Sequence, residues 1–141
     1  VSDAGEPVML YFVGNSKQLM GMKSLLKLEE IAIFLFCIFL FSRLNFVWWW
    51  FPAFLLLPDL GMIGYVINNK VGAFTYNLTH HRLTAIIISF YSVTYGDDYW
   101  KFIAIILIAH ISFDRALGYG LKYTNSFQNT HLGIIGGKKK I

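Results

Sequence analysis

The sequence predicts an all-α fold: an integral membrane four-helix antiparallel bundle with a cytoplasmic Gly-rich C-terminal tail. Of the 141 residues, 56% are hydrophobic and 14% are charged, whereas ordinary soluble domains carry about 25% charged residues. The apolar residues fall into four blocks, and the connections between the blocks are short enough to make neighbouring helices antiparallel. A soluble chain of this length could not bury so many Phe, Ile and Leu side chains, so the blocks indicate a membrane protein.

The N-terminal segment differs from the rest of the chain. Residues 1–22 are predicted to be an extension, which precedes a membrane domain at 23–136 and a basic tail at 137–141. The extension contains the apolar stretch Val8–Val13, which is too short to cross a bilayer. We therefore expect a short strand or an interfacial segment there.

Four predicted spans follow the extension, and the fourth is the shortest relative to the roughly 20 residues that a membrane-crossing helix needs. The spans are Leu25–Ser42, Phe46–Ile67, Val71–Tyr95 and Tyr99–Leu117. The second span opens with the aromatic cluster Trp48–Phe51, which is typical of a membrane interface. Because a proline removes one backbone hydrogen bond, Pro58 predicts a kink near Phe54–Pro58 that turns Asp59 inward.

Charges in the flanks predict the orientation. Most lysines flank the side that bears both termini and the second connection, namely Lys17, Lys23, Lys27, Lys70, Lys122 and Lys138–Lys140. By the positive-inside rule both termini are expected to be cytoplasmic, and the expected partner is the lipid bilayer. The formal net charge of +4 comes mostly from these flanks, and no basic patch alternates with exposed aromatic residues, which excludes a nucleic-acid partner.

Five ionisable residues lie inside the apolar blocks: Glu29, Asp59, His80, His110 and Asp114. At a rise of about 1.5 Å per residue, all of them fall roughly 4–14 Å inside the cytoplasmic boundary. His110 and Asp114 are four residues apart and therefore share a helix face. Because charge is costly in hydrocarbon, such a layer is a hypothesis for a functional site. Glu30 points about 100° away from Glu29 and is expected to face outward, toward the lipid interface or a loop.

Three uses of this layer remain open from the residues alone. Carboxylates and imidazoles suit a divalent transition metal such as zinc, iron or manganese. A haem held between His80 and His110 is the second use. The third is a structural network, in which Asp59, Asp114, Arg82 and Arg115 neutralise one another. Nucleophilic serine catalysis has no support, because no Gly-x-Ser-x-Gly motif is present.

Several strings of residues resemble a known family. The strongest is His110–Tyr123, followed by Thr130–Gly133; Leu25–Glu29, Pro58–Leu60 and Tyr76–His80 add to it. Together they resemble the bacterial membrane-protein family catalogued as domain of unknown function 4260, over about residues 23 to 136. The resemblance implies a four-span protein of the bacterial inner membrane without an assigned activity. The positions that match the family's motif are Glu29, Asp59, His80 (or its neighbour His81), His110, Asp114, Arg115, Lys122 and His131.

The leading hypothesis is a membrane-embedded metal site that performs hydrolytic or redox chemistry on a small or lipid-like substrate. Its predicted residues are the metal ligands Asp59, His80, His110 and Asp114, the general acid or base Glu29 or His131, and the anion-binding Arg115 and Lys122. The alternative is an accessory or structural subunit of a larger membrane complex, or a small binding protein, whose polar layer only fixes helix packing. A transporter is a third hypothesis, in which the four-span chain forms a homo-oligomer that encloses a path. Whether the protein is an enzyme stays open at this stage.

Overall fold

The computed structural model describes residues 6–137, with side chains from residue 13 onward. Its elements in chain order are α1 (Glu6–Phe41), α2 (Trp50–Leu55), a 3₁₀ helix (Leu57–Val66), α3 (Asn69–His80), α4 (Arg82–Tyr95), α5 (Asp98–Leu117), β1 (Asn129–Thr130) and β2 (Gly133–Ile134). The prediction of an all-α fold is confirmed, apart from the small hairpin of β1 and β2. The lysine run 138–140 lies outside the described residues.

Helix α1 is longer than the sequence predicts. It begins at Glu6 and continues without a break through residue 22, so residues 6–22 form helix and not the expected short strand. One side of its C-terminal half, which includes Phe34, Cys37 and Phe41, packs into the apolar core. The division of the chain at residue 22 stays a prediction.

The second predicted span is interrupted where Pro58 lies. Helix α2 ends at Leu55, and the chain continues from Leu57 as a 3₁₀ helix. The N–H of Asp59 bonds the carbonyl of Leu56 at 3.2 Å, three residues back, and not that of Leu55. The change from α-helix to 3₁₀ helix therefore leaves the Leu55 carbonyl free to accept a hydrogen bond from another part of the chain. Leu55 lies within the range where the sequence predicts the kink.

The third predicted span is also two helices. His81 has an extended backbone (φ −86°, ψ 128°), and its side chain accepts a hydrogen bond from the N–H of Leu83 in the first turn of α4. This local bond competes with a continuous helix. The prediction of four continuous helices is thus wrong, since the described residues form five α-helices and a 3₁₀ helix. Among residues 6–137, the helices lack the combination of length and apolar composition that crossing a bilayer requires.

Small residues bring the 3₁₀ helix close to α3. A Cβ atom added at Gly64 would overlap the hydroxyl of Thr75, and one added at Gly61 would lie 2.6 Å from the hydroxyl of Thr79. These two hydroxyls donate hydrogen bonds across the contact, Thr75 to the Gly61 carbonyl at 2.6 Å and Thr79 to the Pro58 carbonyl at 3.0 Å. This contact holds the segment that carries Asp59 against α3.

The apolar core lies between α1, α2 and the N-terminal half of α5. It is built around Phe41, Phe51 and Phe102, with Cys37 fully buried beside them. The rings of Phe41 and Phe51 are 5.3 Å apart, and those of Phe41 and Phe102 are 6.0 Å apart. These are tilted arrangements within the range that aromatic pairs prefer, so α5 is anchored at its N-terminal half by aromatic packing.

The C-terminal segment folds back onto α3. Gly118 ends α5 with a left-handed backbone (φ +95°), a conformation that glycine adopts without a steric penalty. Beyond it the side-chain amide of Asn77 donates to the Lys122 carbonyl at 2.9 Å and accepts from the Lys122 N–H at 2.8 Å. The segment is therefore docked through both backbone groups of Lys122, while its cytoplasmic position stays a prediction.

Candidate metal centre

Four of the five predicted polar residues meet at one point. Asp59 comes from the 3₁₀ helix, His80 from the last position of α3, and His110 and Asp114 from α5. One ligand atom from each lies within 4.8 Å of the others. Four residues that are up to 55 positions apart in sequence thus form one cluster, as their common predicted depth indicates.

The distances in this cluster resemble those around a metal ion. The Nε2 atoms of His80 and His110 lie 3.3 and 3.4 Å from Asp59 Oδ1. The same two atoms lie 3.5 and 3.8 Å from Asp114 Oδ2. Ligand atoms around a tetrahedral zinc, with bonds of about 2.0–2.1 Å, are roughly 3.3–3.4 Å apart. The cluster therefore has nearly the size of a metal coordination shell.

Both imidazoles are oriented through their Nδ1 atoms. His110 Nδ1 lies 2.7 Å from the Leu55 carbonyl oxygen, the one that the change of helix type leaves free. His80 Nδ1 lies 2.9 Å from the Tyr76 carbonyl oxygen. Because both carbonyls only accept hydrogen bonds, and the Thr79 hydroxyl that lies 2.9 Å from His80 Nδ1 donates to the Pro58 carbonyl, we assign a proton to each Nδ1. A ring protonated on Nδ1 alone presents the lone pair of Nε2, as a metal-binding histidine does.

This tautomer brings two Nε2 lone pairs together where the rings of His80 and His110 meet. The Nε2 atoms of His80 and His110 are 2.8 Å apart, and two lone pairs at this distance repel unless a proton or a metal cation lies between them. The carboxylates of Asp59 and Asp114 face the same point. A divalent cation balances their two charges, so the donor set fits a divalent metal.

Tyr76 supports two of the four residues. Its hydroxyl donates a hydrogen bond to Asp114 Oδ2 at 3.0 Å. Its ring stacks on that of His80, with centroids 3.7 Å apart and planes 15° apart. The spacing Tyr76–His80 indicates from sequence that they share a helix face, but it does not indicate that Tyr76 reaches the carboxylate on α5.

An open cleft of about 270 Å³ borders the cluster. Asp59 and Asp114 line one end of it, and Lys122, Met62 and Phe127 are among the side chains that line the remainder. The two imidazoles are 4% and 0% exposed, whereas Asp59 is 30% exposed. The cluster is therefore closed on the imidazole side and accessible on the carboxylate side.

Lys122 is a buried cation in the wall of this cleft, with only 5% of its surface exposed. Its ammonium donates to the Phe127 carbonyl at 3.1 Å and lies over the rings of Phe127 and Tyr76, at 3.3 and 4.8 Å from their centroids. Burial lowers the pKa of Lys122, and the nearby carboxylates of Asp114 and Asp59 act in the opposite direction. The cationic form is thus held by aromatic faces and by charge across the cleft.

Arg115 has a different position from Lys122. It lines a separate pocket of about 10 Å³ with Tyr76, His80 and Asp114, and the residues of the larger cleft do not include it. The two predicted anion-binding residues therefore lie in different places, and only Lys122 faces the cleft.

The two predicted acid or base residues are exposed, and neither belongs to the group of four. Glu29 lies on the outer face of α1. His131 Nδ1 accepts a hydrogen bond from the Leu121 N–H at 2.8 Å, and its ring packs against Gly120, so its contacts hold the C-terminal segment. Their catalytic roles stay predictions.

Glu30 faces the protein, contrary to the expectation that it faces outward. Its side chain is 13% exposed and forms an ion pair with Arg82 of α4. Glu30 lies four and seven residues before Phe34 and Cys37, which pack in the core, and this spacing puts all three on one helix face. The apolar pattern of α1 could have indicated that Glu30, and not Glu29, is the inward residue.

The geometry answers two questions that the sequence leaves open. One is which of His80 and His81 lies in the cluster, and the other is whether the cluster suits a single metal ion or a haem. His80 lies in the cluster, while His81 is exposed and caps α4. An iron with two imidazole ligands on opposite sides would separate the Nε2 atoms by about 4 Å, and they are 2.8 Å apart. A haem between His80 and His110 does not fit this arrangement.

Comparisons with known proteins add a family to this description. A family model described as "Domain of unknown function (DUF4260)" matches residues 23–135, which confirms the family that the sequence resembles, while its membrane placement and bacterial origin stay predictions. No curated protein and no solved structure matches the chain. The site residues Asp59, His80, His110 and Asp114 all lie inside the matched range.

Proposed function

The chain belongs to the DUF4260 family, a domain of unknown function, and we propose that it is a membrane protein that binds one divalent transition metal. Asp59, His80, His110 and Asp114 are the proposed ligands. Zinc, iron and manganese all accept this mixture of carboxylate and imidazole donors. The metal serves hydrolytic or redox chemistry at the cleft beside it.

The observation that carries this proposal is the facing pair of Nε2 atoms. With each Nδ1 assigned as the donor to a backbone carbonyl, both Nε2 lone pairs point at one position, and the two Nε2 atoms are 2.8 Å apart. A network that only fixed helix packing would pair a donor with an acceptor at this contact. A cation satisfies both lone pairs and both carboxylates together.

The cleft supports a reactive role over a purely structural one. Structural zinc sites are closed by four protein ligands, whereas catalytic metal sites keep a position open to substrate. Here the carboxylate side borders a cleft of about 270 Å³, so a metal with five or six ligands could accept a further one from that side. A metal held there supplies Lewis acidity to a substrate oxygen.

Exposed apolar side chains support placement in the bilayer. Val66, Val93 and Phe90 are 87%, 82% and 73% exposed, and Trp48 and Trp49 are 62% exposed. Soluble monomers rarely expose apolar patches of more than a few hundred Å². We place these side chains in contact with lipid in the bacterial inner membrane, with both termini cytoplasmic.

The alternative function is an accessory subunit of a membrane complex. It has a specific observation in its favour, because hydrogen bonds from the cluster already join three elements: His110 to Leu55, and Tyr76 to Asp114. In this case the polar layer only fixes packing. The proposal and the alternative differ in one quantity, the metal bound by each folded chain.

Metal content tests the proposal. The full chain is purified in detergent, dialysed against zinc, iron(II) or manganese with trace chelator, and assayed for metal per chain. We expect about one equivalent of one metal. A double variant, His110→Leu with Asp114→Asn, should stay folded and bind none.

The matched control is His81→Asn, which changes an exposed neighbouring histidine and keeps a side-chain acceptor for the start of α4. It should bind metal like the unmodified chain. Absence of metal from the unmodified chain under all three conditions would favour the packing alternative. The same conclusion would follow if the double variant bound metal normally.

A further inference from the structure

Once a divalent metal is bound, the charged groups around the cleft carry a net positive charge. Asp59 and Asp114 contribute two negative charges, which the metal neutralises. Lys122 then adds one positive charge that is 95% buried. Among the described residues no carboxylate oxygen lies within 4.0 Å of its ammonium. Once the metal neutralises Asp59 and Asp114, the buried ammonium of Lys122 loses the negative charge across the cleft, which is costly, so the metal-loaded cleft favours an anion.

The walls of the cleft limit what the anion can carry. The lining residues with polar side-chain groups are the two metal-binding carboxylates, Lys122, Tyr76 and Tyr119, and the apolar ones are Met62, Phe127 and Ile135. The volume of about 270 Å³ holds about nine groups of the size of a water molecule, at roughly 30 Å³ each. An oxyanion such as a phosphate fills about half of this space, and a short apolar chain fills the remainder.

We propose that the cleft binds a small oxyanion that carries a short apolar group, with the oxyanion between the metal and Lys122. This inference rests on the proposed metal site. The apolar group lies against Met62, Phe127 and Ile135. The substrate class is therefore a short-chain phosphate ester or a comparable acid, with Lys122 as its recognition residue.

The test is calorimetric titration of the zinc-loaded full chain in detergent with n-butyl phosphate and, separately, inorganic phosphate. We expect butyl phosphate to bind at least tenfold more tightly than inorganic phosphate, and binding to disappear when zinc is removed. Lys122→Met keeps the apolar stem and removes the charge, and it should weaken butyl phosphate binding at least tenfold. The matched control is Lys70→Met on the exposed surface of α3, which should bind normally.

Zinc content is measured for every variant, so the two proposals fail separately. If the unmodified chain binds no zinc, the proposed metal site is wrong. If the chain binds zinc normally but binds the two phosphates with equal affinity, the proposed contact with an apolar group is wrong. Normal zinc with undiminished binding in Lys122→Met contradicts the whole inference. If Lys122→Met does not fold, Ile135→Trp provides a second test, because its larger side chain should block butyl phosphate and leave zinc bound.

Discussion

The two halves of α5 lie in opposite environments. The N-terminal half places Phe102, Ile105 and Ile106 in an aromatic and aliphatic core against α1 and α2. The C-terminal half places His110 and Asp114 among polar partners from α3 and the 3₁₀ helix. Ala109 is fully buried in the core, and His110 is the next residue along the helix. One continuous helix thus joins a region held by apolar burial to a region that needs charge balance.

The two halves differ in whether their own side chains satisfy them or whether they require a bound ion. The apolar half is held together by its own side chains, because its rings pack against one another within 5–6 Å. The polar half places two carboxylates and two Nε2 lone pairs around one point. We therefore expect the first half to determine stability, and the second to determine what the protein binds.

The largest expected effect tests the apolar half. Phe102→Ala should lower the free energy of unfolding by about 3–5 kcal/mol, because it removes a buried ring and leaves a cavity. Chemical denaturation in detergent measures this loss. Metal content per folded chain should not change. A Phe102→Ala protein that folds but binds no metal would contradict the independence of the two halves. Phe74→Ala, 68% exposed on α3, is the matched control and should have little effect.

The next effect concerns metal removal. Since a ligand that binds only the folded state stabilises it, zinc at 100 to 1,000 times its dissociation constant should add about 2.7–4.1 kcal/mol to the free energy of unfolding. Addition of a chelator should remove this increment. The same increment is expected in the Phe102→Ala background. If the chelator had no effect on the unmodified chain, the polar half would be complete without a metal.

The meeting of the four clustered residues could be predicted from the sequence, whereas several helix boundaries could not. Ionisable residues inside apolar blocks are conspicuous, and counting along helices brings Asp59, His80, His110 and Asp114 to one level. The break at His81 is absent from this pattern, because it depends on a side chain that bonds the Leu83 N–H in place of a helical carbonyl. Periodicity does not register such local competition.

The role of Tyr76 could not be predicted from sequence either, because its hydroxyl reaches a residue 38 positions away. Tyr76→Phe keeps the ring on His80 and removes the hydrogen bond to Asp114. Residues that orient metal ligands typically contribute about 10–100-fold in affinity, so zinc should bind that much more weakly. Competition with a chromogenic chelator measures this change.

Tyr65→Phe is the control for Tyr76→Phe. Among the described residues the Tyr65 hydroxyl has no hydrogen-bond partner, so its removal should leave zinc affinity unchanged. Equal affinities in the two variants would show that the hydroxyl of Tyr76 does not orient Asp114. A loss of zinc affinity in Tyr76→Phe alone would show that the Tyr76 hydroxyl belongs to the polar half.

The smallest effect concerns the ion pair of Glu30 with Arg82, which joins α1 to α4. Glu30→Gln should lower the free energy of unfolding by about 1 kcal/mol or less, because Arg82 is 43% exposed and partly exposed ion pairs contribute little. Glu29→Gln, on the exposed side of α1, should have no measurable effect on stability. Thermal denaturation of the two variants side by side distinguishes the inward carboxylate from the outward one.

X-ray absorption spectroscopy of the zinc-loaded chain tests the central claim most directly, because it reports the atoms bound to the metal. We expect nitrogen and oxygen neighbours at about 2.0–2.2 Å, with the scattering signature of two imidazoles. That signature should fall to one imidazole in His80→Ala and stay at two in His81→Asn. A zinc shell with sulfur, or with no imidazole, would contradict the assignment of His80 and His110 as ligands.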